Sequence, residues 1–237
     1  MANRIIAVED QTKFVETLCS KIQELASESI SERNRFTVGL SGGSLIDLLS
    51  CGLPSIETDW SKWYFLLCDE RIVSENDKES TAGQYKAKLF SKINITEKQF
   101  LTIDPELSPS LCADSYRNKI KSLFPEDDIP KIDLLLLGLG PDGHTCSLFP
   151  GHPILHETDK WVVGIDDSPK LPPKRITLTF KIINNARTCL FPISGKGKAE
   201  MVKRILEDKE DFPAGLVKPK GGAIWMLDKE AAALLKC

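Results

Sequence analysis

The segment Asp133-Leu-Leu-Leu-Leu-Gly-Leu-Gly-Pro-Asp-Gly-His144 constrains the fold of this chain more than any other stretch. Leu134 to Leu137 are apolar on both faces, as in a parallel strand with helices covering both sides of its sheet. Gly138, Gly140 and Gly143 follow, and they let the backbone turn sharply and approach a ligand closely. His144 stands where this turn opens, beyond the carboxyl end of the strand. In open α/β sheets ligands bind at that edge. A histidine there exchanges a proton near neutral pH.

The rest of the chain repeats the alternation of strand and helix. Phe14, Val15, Leu18, Ile22, Leu25 and Ala26 recur at helical spacing after Asp10. Arg35 to Leu40 reads as a strand, and Leu45 to Ser50 as a short helix stopped by Gly52 and Pro54. Trp63 to Cys68 is a second buried strand, followed by a charged loop and a helix from Thr81 to Ile93. Pro109 to Phe124 reads as a helix with Leu111, Tyr116, Ile120 and Leu123 on its apolar side. Residues 133–138 form the central strand. Further strands are expected at Trp161–Ile165, Arg175–Phe180, Arg187–Ile193 and Ala223–Leu227, with helices ending near Glu207 and over Lys229–Lys236. The linker from Asp166 to Lys174 is a loop stiffened by prolines. Strands separated by helices imply crossover connections and a mostly parallel sheet. The expected fold is α/β: one three-layer open domain over residues 1–237, with helices on both faces.

Composition removes several function classes. The net charge of -3 leaves no global basic field for nucleic acid, so any anionic ligand must be held by a local cluster of Lys and Arg. No apolar run approaches the roughly 20 residues of a membrane-spanning helix. The first ten residues are too short in apolar character, and too soon acidic, for a signal peptide. The seven cysteines are odd in number, scattered and without a C-x-x-C pair, which argues against a disulfide framework or a zinc site. Reduced thiols in the cytoplasm are the natural reading; Cys19, Cys68 and Cys189 look like small buried hydrophobes.

Four strand ends carry glycine-rich or charged loops, and a parallel sheet brings such loops to one edge. Ser41-Gly-Gly-Ser44 exposes backbone N–H groups at a helix start, which suits an anion. On shape alone it reads equally as a tight strand-to-helix turn. Asp69-Glu-Arg71 offers a guanidinium able to hold a phosphate in bidentate fashion, though by sequence alone it reads as a solvated charged loop. Lys196 and Lys198, in a glycine-flanked turn at a helix start, suit a phosphate or simply decorate the surface. Gly138-x-Gly140-x-x-Gly143 formally matches a dinucleotide fingerprint. Pro141 and Asp142 crowd that turn, and no long helix follows because Pro150 and Pro153 interrupt. No nicotinamide, flavin or other cofactor is expected. His152 and His156 lie near His144, but their spacing across prolines fixes no common face, so no metal site is expected.

Taken together, these stretches resemble the 6-phosphogluconolactonase family. The matching pieces are Leu40-Ser-Gly-Gly-Ser44, Cys68-Asp-Glu-Arg71, Ser80-Thr-Ala-Gly83, Gly138 to Gly151, Pro172-Pro-Lys-Arg-Ile-Thr177 and Gly195-Lys-Gly-Lys-Ala199, in the family's order and over nearly the whole chain. The related glucosamine-6-phosphate deaminases share the Asp-Gly-His core but typically continue with an apolar residue and Ala-Phe-Asn-Glu. Here Thr145-Cys-Ser-Leu-Phe-Pro150 follows. Two departures from the lactonase pattern are Lys196, where an acidic residue is common, and Ile72-Val-Ser-Glu75 in place of the usual Val-Pro.

The resemblance implies a Rossmann-like fold of the sugar-phosphate isomerase type and a metal-independent hydrolase of the oxidative pentose phosphate pathway. The reaction implied is hydrolysis of 6-phospho-D-glucono-1,5-lactone to 6-phosphogluconate. His144 would be general base on water and return the proton to the departing ring oxygen. Arg71 and Lys198 would hold the phosphate, helped by backbone N–H groups of Gly42 and Gly43. Asp142 would orient the imidazole or a substrate hydroxyl, and Arg175 is a further candidate near the mouth. Ser41 and Ser44 would bond the ligand or shape the turn. The expected partner is a small phosphosugar lactone, with no nucleic acid or membrane, and a monomer is expected. The alternatives are a phosphosugar deaminase or isomerase, or a non-catalytic sugar-phosphate sensor, on the same fold.

Overall fold

The computed structural model describes residues 3–236. In chain order its elements are β1 (Arg4–Val8), α1 (Gln11–Arg33), β2 (Phe36–Leu40), α2 (Ser44–Gly52), β3 (Trp63–Leu67), β4 (Asp69–Arg71), α3 (Thr81–Lys88), α4 (Pro109–Leu123), β5 (Leu134–Leu136), β6 (Val162–Ile165), β7 (Arg175–Leu178), α5 (Phe180–Ile183), β8 (Thr188–Ile193), α6 (Ala199–Leu206) and β9 (Ile224–Asp228). Six strands pair in the order β1-β9-β8-β5-β2-β3, and every pairing among them is parallel. Every residue of β2 and β5 is buried, so a layer covers each face of the sheet. Fully burying one leucine of the 134–137 run stabilises the fold by about 1.5–3 kcal/mol, and all four are buried.

The topology decides where a ligand fits. From β2 the chain steps outward to β3, then crosses back to lay β5 on the other side of β2. The sequence direction reverses between β2 and β5, and a crevice opens outside their carboxyl ends. Ser41 to Gly43 leave β2 there, and Gly138 to His144 leave β5 there.

A second sheet, β4-β7-β6, is antiparallel. It grows directly out of the first through Cys68, whose N–H donates to Leu40 O (2.9 Å) and whose carbonyl accepts from Leu178 N (2.8 Å). Asp69 to Arg71 are therefore a strand and not a solvated loop: Asp69 and Glu70 are buried, and Arg71 pairs with Arg175 across the ladder. Burial there is possible because both carboxylates find donors.

Other elements differ from the sequence reading. β1 was not expected; its exposed, edge-strand pattern of Arg4 to Val8 carries little periodicity. The helix expected to reach Ile93 ends at Lys88 and tightens into a 3-10 turn over Phe90–Lys92. Leu111, expected on the apolar side of α4, is exposed, while Cys112 and Ala113 face inward. Lys229–Lys236 is a series of turns with mixed three- and four-residue hydrogen bonds rather than a helix. So short a segment gains little against the cost of helix nucleation. Among the described residues, six cysteines are free and all but Cys51 are buried; Cys237 lies outside those residues. No helix among the described residues is long and apolar enough to cross a membrane.

Candidate active site

The turn after β2 forms a concave wall because glycine permits its backbone conformation. Gly43 caps α2 with φ 75 and ψ -148, a region essentially reserved for glycine. A Cβ on Gly42 would sit 3.1 Å from Thr81 Oγ1. Two small cavities open against this turn and share Gly42, Gly43 and Gly138 as a common wall. One, of about 130 Å³, is completed by Ser41, Asp69, Arg71 and Thr81. The other, of about 160 Å³, is completed by Ser44, Leu139, Ser194 and Lys198. Ser41 Oγ is buried with no hydrogen-bond partner among the described residues. A buried hydroxyl without a partner is costly, and a ligand oxygen in the cavity would satisfy it.

Arg71 reaches its cavity because strand alternation puts Asp69 and Arg71 on one face and Glu70 on the other. Glu70 turns away to accept N–H bonds from Thr81 (2.9 Å) and Ala82 (2.7 Å) in the first turn of α3, and from Arg71 (2.7 Å). Burial pushes the Glu70 carboxyl pKa up, against the pull of these three donors. Asp69 Oδ2 accepts from Ser147 Oγ at 2.8 Å. Arg71 Nη1 donates to Glu79 O (2.9 Å) and lies 3.3 Å from Glu79 Oε2. This fixes the plane of the guanidinium and leaves its other edge uncommitted among the described residues. The two lysines of the Gly195 turn separate: Lys196 is exposed, whereas Lys198 is half-buried and donates from Nζ to Leu139 O at 2.7 Å. Burial, then the nearby charge of Lys170, pulls the Lys198 pKa down, while Asp142 opposes. Lys198 thus links the cradle to the turn of His144.

That turn is closed by Gly140 N–H donating to His144 O (2.8 Å) and Gly143 N–H donating to Gly140 O (3.0 Å). Gly140 is required: a Cβ there would lie 1.9 Å from His144 Nδ1. The imidazole packs on Phe149, ring centroids 4.8 Å apart. His144 Nδ1 is 2.5 Å from Asp142 Oδ1. A carboxylate so close requires the proton on Nδ1, so Nε2 carries the lone pair. Burial pulls the His144 pKa below its ordinary value; Asp142 raises it and the Lys170 ammonium lowers it. The imidazole is therefore neutral at neutral pH, and its Nε2 lone pair is available to accept a proton. Burial acts to raise the Asp142 pKa, but the His144 and Lys170 contacts outweigh it and hold the carboxyl at about 2.

Ser41, Gly42, Gly43, Arg71 and Lys198 thus line the two adjoining cavities, and Lys198 links them to the turn of Asp142 and His144; one expected residue lies elsewhere. Arg175, expected near the mouth, is buried. Its Nε donates to Pro172 O (2.9 Å), and its Nη2 to Lys170 O (3.0 Å) and Leu171 O (3.1 Å). His152 points elsewhere, pairing with Asp167 at 3.0 Å. Two residues of the cavity and the turn carry no signal in the sequence: Thr81 lies within Ser80-Thr-Ala-Gly83 with no role implied, and Lys170 sits two residues before Pro172, in a stretch that reads only as a stiff loop. A larger cavity of about 930 Å³ between α1 and α2 is lined by Glu16, Asp47 and Glu57, which would repel an anionic ligand.

The family model described as glucosamine-6-phosphate isomerases/6-phosphogluconolactonase matches residues 9–226. The chain is 48% identical over 220 residues to 6-phosphogluconolactonase of Rattus norvegicus, covering 90% of this chain and 86% of that one. It is 49% identical over 211 residues to the protein of the same name from Homo sapiens, covering 86% and 82%. Among solved structures it is similar to 6-phosphogluconolactonase from Thermotoga maritima, at 29% identity and TM-score 0.85 over 96% of this chain and 100% of that one. The Trypanosoma brucei enzyme of that name aligns at 26% identity and TM-score 0.86 over 99% of each. With its crevice, cradle and histidine turn, this chain belongs to the glucosamine-6-phosphate isomerase/6-phosphogluconolactonase family.

Proposed function

We infer that this protein hydrolyses 6-phospho-D-glucono-1,5-lactone to 6-phosphogluconate, the lactone-opening step of the oxidative pentose phosphate pathway. The observation that carries this reading is an imidazole with Nδ1 held by Asp142 and Nε2 open, beside a cradle of two cations and glycine N–H groups. Arg71, Lys198, the Ser41 hydroxyl and the Gly42 and Gly43 backbone hold the phosphate, which anchors the sugar. Water is deprotonated by His144 Nε2 as it attacks C1, giving a tetrahedral intermediate. The C1–ring oxygen bond then breaks, and the imidazolium returns the proton to the departing ring oxygen. Asp142 stabilises that imidazolium. A lactone is already a reactive ester, so general base catalysis, typically about 10²–10⁴-fold, and positioning are the main demands on the protein. Thr145-Cys146-Ser147 after the histidine, without the Asn-Glu of the deaminases, favours hydrolysis over ring-opening isomerisation.

The same reading takes residues 1–237 as one domain acting as a monomer in a reducing cytoplasm. The single domain is supported by one continuous apolar cluster, and the reducing compartment by free thiols among the described residues.

The test is hydrolysis of freshly made lactone, with the spontaneous rate subtracted, for the natural protein and His144→Ala. We expect a fast natural rate, a loss of about 10²–10⁴-fold in kcat in the variant, and an unchanged fold. The natural kcat/KM should fall as pH drops through a midpoint below 6.5, because the folded protein disfavours the imidazolium. No rate above background would sink the lactonase reading. A surviving rate in the variant would move the base elsewhere.

A further inference from the structure

The side chain of Lys170 is anchored at both ends. Its backbone N–H donates to Ser168 Oγ (3.2 Å), and Ser168 Oγ donates back to its carbonyl (2.9 Å). The same carbonyl accepts from Arg175 Nη2 (3.0 Å), and the buried guanidinium also grips the carbonyls of Leu171 and Pro172. Arg175 lies over the Phe149 ring, 5.8 Å from its centroid, and His144 packs on that ring too. The loop holding Lys170 and the turn holding His144 are therefore referenced to one aromatic side chain. At the other end, Lys170 Nζ is 3.1 Å from Asp142 Oδ1 and 3.2 Å from His144 Nδ1. An ammonium only donates, and Nδ1 already carries a proton, so both groups donate to the shared oxygen.

We propose that Lys170 is a positioning residue of the general base: its ammonium fixes the Asp142 carboxylate that holds His144 in the Nδ1–H tautomer, leaving Nε2 to accept the proton from water. Ser168 and Arg175 build the seat for that ammonium. The kinetic consequence rests on the lactonase reading, while the tautomer and its titration do not.

The charges facing the imidazole make the arrangement directional. Asp142 from its own turn and Asp69 from β4 favour the imidazolium, and Lys170 opposes it. Lys198 faces Asp142 and Lys170 from the start of α6. Replacing Lys170 by an uncharged side chain leaves Asp142 and Asp69 less opposed. The imidazole should then titrate at higher pH while being less firmly oriented.

The variants are Lys170→Met, which keeps the stem and removes the charge, and Lys170→Arg, which keeps the charge. In the Met variant we expect kcat to fall about tenfold or more, a share of the ~10²–10⁴ of general base catalysis. KM should change far less, and the acid limb of kcat/KM should move to higher pH. The Arg variant should recover most of both. The same variants are followed by nitrogen-15 spectra of the imidazole in the ligand-free protein, with the His144 signals identified by their absence in His144→Gln. There we expect a fixed Nδ1–H tautomer in the natural protein, and a higher midpoint with mixed tautomers in the Met variant. An unmoved acid limb with unchanged kcat would overturn the proposal, as would a raised KM alone. If the natural protein lacks lactonase activity, the spectra still decide: identical tautomer and midpoint in natural and Met proteins would overturn it.

Discussion

At the residue scale, the candidate site residues divide into those whose chemistry is visible in their own letter and those defined only by their surroundings. His144 stood out because a proton-exchanging side chain followed three glycines at a strand end. Arg71 and Lys198 looked no different from surface cations, and only their half-buried placement against the cradle distinguishes them. Lys170 gave no local signal, since its partners come from a turn 26 to 28 residues earlier. Ser41 illustrates the same limit: its hydroxyl is notable because it is buried and unpartnered. Ser41→Ala removes no internal hydrogen bond, so the thermal unfolding midpoint should be unchanged or slightly raised. A hydrogen bond to a charged ligand contributes about 1.5–3 kcal/mol, so KM should rise roughly tenfold or more. Calorimetry and steady-state kinetics on one preparation check both halves, and a large drop in stability with unchanged KM would contradict the assignment.

At the scale of elements, the second sheet is the part that periodicity did not reveal. A three-residue strand of Asp69, Glu70 and Arg71 offers no hydrophobic alternation, so it reads as a loop. What stabilises it is tertiary: pairing with β7, and the capture of Glu70 by the first turn of α3. The acidic side chain also meets the partial positive charge of that helix end. Glu70→Ala leaves several buried N–H groups unsatisfied, and each costs about 1–3 kcal/mol. We expect at least about 2 kcal/mol of lost stability by denaturant unfolding, with a raised KM because Arg71 is displaced along with its strand. Loss of stability with unaltered KM would mean that β4 holds Arg71 without help from α3.

At the scale of the whole molecule, the two ends of the sheet serve different ends. Asp133 sits at the amino edge, buried, accepting from Thr37 N–H (2.9 Å) and Oγ1 (2.6 Å). It also pairs with Arg33 of α1 (3.2 Å) and with Arg187 just before β8 (3.3 Å). One carboxylate thus ties a helix to three strands, far along the strands from His144. Removing a buried partner typically costs about 3–5 kcal/mol, and the lower end applies because Arg33 and Arg187 reach solvent. Asp133→Ala should therefore lose about 3 kcal/mol of stability while keeping the natural kcat/KM well below its unfolding midpoint. Impaired kinetics in the folded variant would show that the amino edge also tunes the crevice.

What can be read from the amino-acid order alone is what short-range physics encodes. The four buried leucines of residues 134–137, three of them in β5, required a covered parallel sheet, the helical spacing after Asp10 required α1, and the glycines after β2 and β5 required turns open to a ligand. Those signals are local because strand and helix periodicity, and the freedom of glycine, belong to neighbouring residues. Tertiary structure alone decided the order of the strands and hence the crevice between β2 and β5. It also decided the burial of Asp69 and Glu70, the retreat of Arg175 into the loop it supports, and the meeting of Lys170 with Asp142 and His144. These depend on burial and on charges brought together from distant segments, and the energies that decide them exist only once the chain has closed around them.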